Sequence, residues 1–184
     1  WAEDRADAMR MAVKLSIPFE TWDFTKEYKE KVVDYMTREY ALGRTPNPDV
    51  MCNKEIKFGL FFNKATELGF DYMATGHYVR KSAENKLLRA RYLEKDQSYF
   101  LWTLKQEQIS KSLFPIGEIE SKAEVRRLAA EFGLPTADKK DSQGICFMVP
   151  VDVAEFIKPY VKNATGDIVT TSGQKIGTHT GLDF

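Results

Sequence analysis

The chain has 184 residues and carries 27 basic and 27 acidic side chains, so its formal net charge is zero. Hydrophobic residues make up 43% of the sequence, which excludes an intrinsically disordered chain and predicts a packed core. Two cysteines are too few for a secreted disulfide scaffold, and they favour a reducing, cytoplasmic compartment. No apolar run is long enough to span a membrane, so we expect no membrane contact. A neutral chain can still bind nucleic acid, because binding needs only a local excess of basic side chains.

The first forty residues predict a helix, a strand and a second helix. Residues 2–15 place apolar side chains on one helical stripe. Residues 19–24 alternate between apolar and polar side chains, as a β-strand does. Thr25 can cap the next helix, which Gly43 ends. The predicted apolar positions of the two helices are Ala2, Ala6, Met9 and Val13, then Tyr28, Val32, Tyr35 and Met36.

The stretch from Gly43 to Phe58, GRTPNPDVMCNKEIKF, predicts a stiff loop that enters a helix at about Asn53. Pro46 and Pro48 restrict the residues before them to extended backbone. A thiolate at a helix start is stabilised by backbone N–H groups, which is a reason to expect chemistry from Cys52. The alternative is a small buried residue without a chemical role.

The middle of the chain predicts a parallel sheet. A helix ends at Gly69, and residues 71–76 follow as a short strand that runs into a loop. The order helix, strand, helix, helix, strand is typical of an α/β fold, in which helices flank a parallel sheet. Ligands bind at the carboxyl ends of such strands, where Gly76 and His77 stand. A lone histidine is nevertheless more often a packing residue than a base or a metal ligand.

Residues 78–91 predict a β-hairpin with a polar turn at 82–85. The hairpin is either a charged edge that resists pairing with other strands or a contact for phosphates. Residues 97–104 follow with several aromatic side chains, which we expect in the core rather than on a base-stacking surface. The basic residues of the hairpin are Arg80, Lys81, Lys86, Arg89 and Arg91.

The last third of the chain predicts a capped helix, a polar loop and a domain boundary. Ser121 and Glu124 form a capping box, and Gly133 ends the helix that they open. A polar loop with Cys146 follows. We place a boundary near 149–151, between an α/β domain at 1–149 and the start of a small α+β domain at 150–184. The last segment predicts a short helix capped by Asp152 and a hairpin over 166–179. The residues of the capped helix that we expect to face inward are Val125, Leu128, Ala129 and Phe132.

The two cysteines allow three interpretations. Neither belongs to a CxxC pair, and with only two histidines the chain lacks the ligands of a structural zinc site, so we predict no metal site. In the first interpretation Cys52 and Cys146 are inert, and in the second they form a regulatory disulfide. In the third they transfer sulfur, because a thiolate can release sulfur from a persulfide. Asp49, three residues before Cys52, either acts as an acid or base or caps the following turn.

Four blocks of the sequence resemble the tRNA-specific 2-thiouridylases, and they occur in the order of that family. Each block is long and unusual in composition, so agreement of all four by chance is improbable. Residues 166–184 resemble the family's next segment. The blocks are Gly43–Asn53 with Ile56–Phe58, Ala74–Tyr78, Lys95–Phe100 and Asp141–Phe147.

The resemblance implies an ATP-pyrophosphatase-type α/β fold and a reaction on the wobble uridine of tRNA. ATP, with Mg²⁺ expected, would adenylylate the 2-oxo group, and persulfide sulfur would replace it. A sulfur-donor protein, either a cysteine desulfurase or a relay protein, would supply that sulfur. Cys146 matches the residue that holds the persulfide, and Cys52 the thiolate that attacks it to form a transient disulfide.

The resemblance also assigns binding residues. Asp49 matches the family's candidate acid or base, and the segment Asn47-Pro48-Asp49 matches the loop that meets the base. The segment Lys95-Asp96-Gln97 matches a contact to tRNA, and Gly76 a contact to the nucleotide. All of these roles come from the motifs and not from the spacing of the residues.

The chain also departs from the family, because it contains neither the Ser-Gly-Gly-x-Asp-Ser phosphate loop nor most of the C-terminal barrel. We therefore expect an internal piece of a longer enzyme that does not thiolate tRNA by itself. One alternative is a catalytically silent tRNA-binding module that uses the basic hairpin. Another is an ATP-pyrophosphatase-type ligase or amidotransferase that acts on a small molecule.

Overall fold

The structure is a computed structural model that describes residues 2–139, 153–161 and 165–181. Cys146, the predicted boundary at 149–151 and the predicted cap Asp152 lie outside the described residues. Within them, no helix is long and apolar enough to cross a membrane.

Three helices make up the first part of the chain. Two glycines end the second and third of them, Gly43 with φ +70° and Gly69 with φ +86°, and this confirms both predicted helix ends. The middle stretches of these two helices are π-helical. Helix α1 spans Ala2–Leu15; helix α2 runs through Thr25–Tyr28, Lys29–Val33 and Asp34–Ala41; helix α3 runs through Pro48–Met51, Cys52–Phe61 and Phe62–Glu67.

Helix α1 has the predicted bounds, but its predicted apolar stripe is not buried. Val13 is 79% exposed, and Ala12 is the buried residue of the helix. On the polar side of the helix, Lys139 Nζ lies 2.8 Å from Asp4 Oδ1 and also pairs with Asp7. Helical periodicity identifies an apolar face, but it does not say whether another element covers that face.

The predicted strand at 19–24 is wrong, because none of these residues pairs with a strand in the described part of the chain. Alternating side chains form a strand only where a neighbour completes the ladder of hydrogen bonds. The segment packs on α3 instead, with the ring of Trp22 4.8 Å from that of Phe61 and Lys64 Nζ 4.9 Å from the Trp22 ring.

Helix α2 buries the predicted face but does not use the predicted cap. Val32 and Met36 are each 1% exposed, which confirms two positions of that face. Thr25 is the first helical residue rather than the cap, and its backbone N–H donates to Asp23 Oδ1 at 2.8 Å. A hydrogen bond from the Thr25 hydroxyl, followed by this backbone bond, lowers the pKa of the Asp23 carboxyl.

Small sheets and short helices follow α3. Of the predicted parallel sheet, the described residues form one parallel pair of strands, and both predicted hairpins are present. Strand β1 (Met73–Ala74) pairs with β4 (Ser112–Leu113), β2 (Val79–Lys81) with β3 (Leu87–Arg89), and β5 (Gly166–Val169) with β6 (Lys175–His179). The helices are α4 (Gln106–Ser110), α5 (Lys122–Glu131) and α6 (Val153–Ile157), with 3-10 turns at Leu93–Lys95 and Ser98–Leu101.

The core lies where α3 meets the first strands. One cluster joins α3 to β1, β2 and the second 3-10 turn, and another joins α3 to α2. Burial of these side chains fixes the two faces of α3, so the start of this helix is held between α2 and the turn. The clusters are Phe58, Phe62, Met73, Val79 and Leu101, and then Val32, Cys52 and Ile56.

Two predictions of buried aromatic residues are wrong. Tyr99 is 64% and Trp102 69% exposed, while Leu101 between them is fully buried. Phe132, expected to face inward from α5, is 67% exposed. Only one side of a short turn or a surface helix can face the core, and Leu101 takes that side in the turn. The cap of α5 is confirmed, because Ser121 Oγ accepts from the Glu124 N–H at 3.2 Å.

Candidate functional site

The site is built around the start of α3, where Asn47 caps the helix. Asn47 has extended backbone angles, φ −113° and ψ +94°, as expected before a proline, and its Oδ1 accepts from the Val50 N–H at 3.0 Å. Pro48 is the first helical residue, where its missing N–H costs nothing. Asn47 therefore fills the cap position, and Asp49, for which a cap was one of two interpretations, lies inside the first turn.

Helix α3 begins about one turn earlier than predicted, which changes the setting of Cys52. Cys52 lies in the second turn, and its backbone N–H donates to the carbonyls of Pro48 and Asp49. Stabilisation by the helix dipole falls off beyond the first turn, so the start of the helix no longer accounts for a thiolate here. The side chain is fully buried beside Val32 and Ile56.

Asp49 and Cys52 are three residues apart on α3, which brings them to neighbouring positions on the helix surface. Asp49 is half-buried, whereas Cys52 is not exposed at all. Asn53 supports this turn by donating from Nδ2 to the Asp49 carbonyl at 3.0 Å. The Asn53 Oδ1 is buried and accepts no hydrogen bond within the described residues. A half-buried acidic residue and a fully buried thiol thus lie three residues apart on α3.

The segment from Lys95 to Gln97 lies between the two 3-10 turns and joins them to the first hairpin. Asp96 accepts from the Ala90 N–H at 2.7 Å through one oxygen, and from the Ser98 hydroxyl at 2.6 Å through the other. Gln97 Oε1 accepts from the Tyr78 N–H at 2.9 Å. Asp96 and Gln97 therefore hold the segment in place, and Lys95 is its exposed member.

Gly76 lies two residues beyond the end of β1, where the sequence predicts a ligand. It is exposed, and a Cβ built on it would have no atom within 4 Å. A ligand can therefore approach the backbone here. A contact between Gly76 and a nucleotide stays a prediction.

His77 is a packed residue, as a lone histidine most often is. Its Nδ1 lies 2.9 Å from the Thr75 hydroxyl, and its ring lies 5.8 Å from that of Phe58. Burial, with a smaller effect from Lys57, lowers the pKa of His77 to about 4. The imidazole is therefore neutral near pH 7 and does not act as a cation.

Several basic side chains of the hairpin bind within the protein. Glu118 pairs with Arg91 at 3.0 Å and with Arg80 at 3.5 Å. Lys81 donates to the carbonyls of Ile109 and Ser110 at the end of α4. These contacts favour a structural role for Arg80, Lys81 and Arg91 over the phosphate contact that was the alternative.

The sequence did not predict a second group of basic side chains, nor that two aromatic side chains are exposed. Lys122 and Arg126 lie one turn apart on α5, and burial, followed by repulsion from Arg126 and Lys95, lowers the pKa of Lys122. Tyr99 and Trp102 stand on the turn that follows Lys95. The spacing of Lys122 and Arg126 could have indicated a basic face, but nothing in the sequence places that face beside Lys95.

The structure brings the start of α3 next to the turn that follows Lys95, since Pro48–Met51 packs against Ser98–Leu101. Cys146 lies outside the described residues, so its position relative to Cys52 stays a prediction. Within the described ranges, no group of three histidine, cysteine or acidic side chains could hold a metal ion.

The helices and small sheets, with one parallel strand pair among them, define a domain of the α/β class. Residues 1–150 match the family described as tRNA methyl transferase HUP domain. The chain belongs to this family, and the resemblance drawn from the four sequence blocks is confirmed.

The chain is similar to bacterial proteins named tRNA-specific 2-thiouridylase MnmA. It is 54% identical over 176 residues to that of Christiangramia forsetii, which covers 92% of this chain and 44% of the relative. The protein of Akkermansia muciniphila is 47% identical over 185 residues, 99% of this chain and 52% of the relative. That of Escherichia coli O1:K1 is 50% identical over 187 residues, 100% of this chain and 50% of the relative. The chain spans about half the length of the curated relatives it matches.

Proposed function

We propose that the intact protein is a tRNA-uridine 2-sulfurtransferase, and that this chain carries the residues that meet the base and transfer the sulfur. The observation that carries the proposal is the identity of about half of the residues with relatives named for this reaction, over nearly the whole chain. The family description names methyl transfer, but the relatives are the closer comparison and are named for thiolation.

The proposed sulfur transfer uses two cysteines. Cys146 carries a persulfide loaded by a sulfur-donor protein, and the Cys52 thiolate attacks the inner sulfur. An S–S bond forms between Cys52 and Cys146, the bond to the outer sulfur breaks, and that sulfur takes the electron pair. The released sulfur would then displace the adenylylated oxygen of the uridine, which would leave with AMP. A thiol reductant then returns two electrons to the disulfide before the next turnover.

The burial of Cys52 sets a condition on this step. A fully buried thiol cannot reach a persulfide on another loop, so the start of α3 or its covering residues must move first. We expect binding of the RNA to cause that movement, since rearrangements on binding are common in regulated complexes. Requiring the RNA before the thiol is exposed would keep the persulfide from being discharged without a substrate.

The first turn of α3 would orient the uridine. Asn47, Pro48 and Asp49 are half-buried at this turn, and the Asn47 cap fixes the path of the chain there. Asp49 would hold or move a proton on the base, through the carboxylate that the half-buried position leaves near the surface. Lys95 would contact tRNA from the adjoining segment, whose shape Asp96 and Gln97 maintain.

ATP, with Mg²⁺, would supply the adenylyl group that turns the uridine oxygen into a leaving group. Gly76 is the described residue that fits such a ligand, because its exposed backbone leaves room for close approach at the end of β1.

The test uses the intact protein with Cys146→Ser and, separately, Cys52→Ser. Each variant is supplied in cells that lack the native enzyme, and the tRNA nucleosides are analysed by mass spectrometry. We expect 2-thiouridine with the wild type and none with either variant. Replacement of oxygen by sulfur and addition of a methyl group change the nucleoside mass differently, so the same measurement distinguishes the two reactions.

Undiminished 2-thiouridine in the Cys146→Ser variant would reject the proposal. The silent-binding alternative predicts salt-dependent tRNA binding by the wild type without ATP-dependent modification, and the small-molecule alternative predicts no tRNA binding. The matched control is Ser172→Ala. It removes an exposed hydroxyl from the turn between β5 and β6 and should leave thiolation unchanged.

A further inference from the structure

Two aromatic side chains stand exposed on the 3-10 turn Ser98–Leu101 and the residue after it. Tyr99 is 64% exposed and Trp102 69% exposed, whereas Leu101 is fully buried in the core. Residues three apart in a 3-10 helix lie over one another, so Tyr99 and Trp102 belong to one side of the turn. Two exposed rings on one side of a short turn form a contiguous apolar patch, which is the kind of surface feature that marks a binding site.

The turn that carries these rings is held firmly. Asp96 bonds to Ala90 and Ser98 on either side of it, and Gln97 bonds to Tyr78 through both its side chain and its backbone N–H. Rings on an anchored turn lose little conformational freedom when a ligand stacks on them. The exposed pair is therefore a prearranged surface rather than a loose loop tip.

The position of the turn ties it to the proposed site. Ser98–Leu101 packs against both the first turn of α3, Pro48–Met51, and strand β3. The aromatic pair thus lies beside the helix start that bears Asn47 and Asp49.

Basic side chains border the same loop. Lys95 ends the first 3-10 turn, and Lys122 and Arg126 lie at i and i+4 on α5. Burial, followed by repulsion from Arg126 and Lys95, lowers the pKa of Lys122, which is consistent with the three cations being neighbours. Arg126 is exposed and forms no ion pair among the described residues.

We propose that Tyr99 and Trp102 form a stacking surface for unpaired nucleotides of the RNA substrate, with Lys95, Lys122 and Arg126 contacting the phosphates beside them. This inference rests on the proposed function and adds how the RNA is held. Aromatic rings next to cations are the combination that single-stranded nucleic acid needs, since every base has a face to stack and every nucleotide a negative charge.

The experiment measures tRNA affinity of the intact protein by filter binding over a range of salt concentrations. The probe is an unmodified tRNA transcript with the target uridine. We expect Tyr99→Ala and Trp102→Ala each to weaken binding about tenfold without changing the salt dependence. Tyr99→Phe and Trp102→Phe keep a ring and should bind within about twofold of the wild type.

The cations should behave differently from the rings. Lys122→Ala and Arg126→Ala should weaken binding and lower the slope of log affinity against log salt by about 0.7 to 1 each. The matched control is Phe132→Ala, which removes an equally exposed ring after the other end of α5 and should not change affinity. Thermal unfolding of each variant checks that the fold is retained.

Three results would overturn the inference. If the wild type binds tRNA and the alanine variants bind equally well, the stacking surface is wrong while the proposed function stands. If the phenylalanine variants are as weak as the alanine variants, stacking does not explain the loss. If the wild type does not bind tRNA, the proposed function and this inference fail together.

Discussion

The side-chain oxygen of Asn47 accepts a hydrogen bond from the backbone N–H of Val50 at 3.0 Å, and this bond determines where α3 begins. It moves the helix start ahead of Asp49 and leaves Cys52 in the second turn. The cap thus connects the stability of the helix with the position of the residues proposed to meet the uridine.

Asn47→Ala should lower the free energy of unfolding by about 1 kcal/mol, because the Val50 N–H loses its partner at the helix start. Asn47→Asp keeps a capping oxygen and should retain most of the stability. Urea unfolding of the two variants measures the difference. If Asn47→Asp is as stable as the wild type but thiolates tRNA poorly, Asn47 has a role beyond the cap. Equal stability of the wild type and both variants would show that the cap does not stabilise the helix.

Cys52 should react slowly with iodoacetamide in the absence of RNA, because its side chain is fully buried. We expect alkylation in native buffer to be at least about tenfold slower than in urea. Mass spectrometry of the Cys52 peptide measures the rate. Addition of tRNA should increase the rate if binding exposes the thiol. Alkylation as fast in native buffer as in urea would contradict the burial.

Burial of neutral His77 should make the protein less stable in acid. Its pKa is lowered to about 4 in the folded protein, while the unfolded chain binds a proton near the ordinary value of about 6.5. The unfolded state therefore binds more protons between these values, so stability falls as the pH decreases from about 6.5 to 4 and this loss levels off below. The loss attributable to His77 is on the order of 3 kcal/mol.

The measurement for His77 is chemical unfolding of the wild type and His77→Gln at several pH values. Carboxyl groups titrate in part of the same range, so the difference between the two proteins isolates the histidine. That difference should change across the window from pH 6.5 to 4. Parallel stability curves would show that His77 does not titrate differently in the two states.

Gly117→Ala should destabilise the fold, whereas Gly76→Ala should not. A Cβ on Gly117 would lie 1.9 Å from the backbone oxygen of Val79 in β2, and relief of that clash requires a backbone shift. We expect a loss of about 2 kcal/mol or more in unfolding experiments. A Cβ on Gly76 meets no atom within 4 Å, so its effect should fall on ATP-dependent thiolation. Equal stability of the two variants would contradict the close approach at Gly117.

Local signals determined much of the secondary structure. Gly43 and Gly69 end helices in left-handed conformations, and Ser121 caps α5, because glycine and a capping hydroxyl act on the backbone within a few residues. The hairpins at 78–91 and 166–179 also formed where their turns predicted them. The family resemblance came from sequence as well, since its blocks are contiguous motifs.

Tertiary structure decided which faces are covered. Residues 19–24 alternate as a strand but find no partner in the described chain, and Cys52 is buried although it follows a polar loop. Tyr99 and Trp102 are exposed because Leu101 takes the one side of their turn that faces the core. Periodicity and motifs record local preference, whereas burial depends on which distant element packs against a residue, and that information is not contained in any short stretch of sequence.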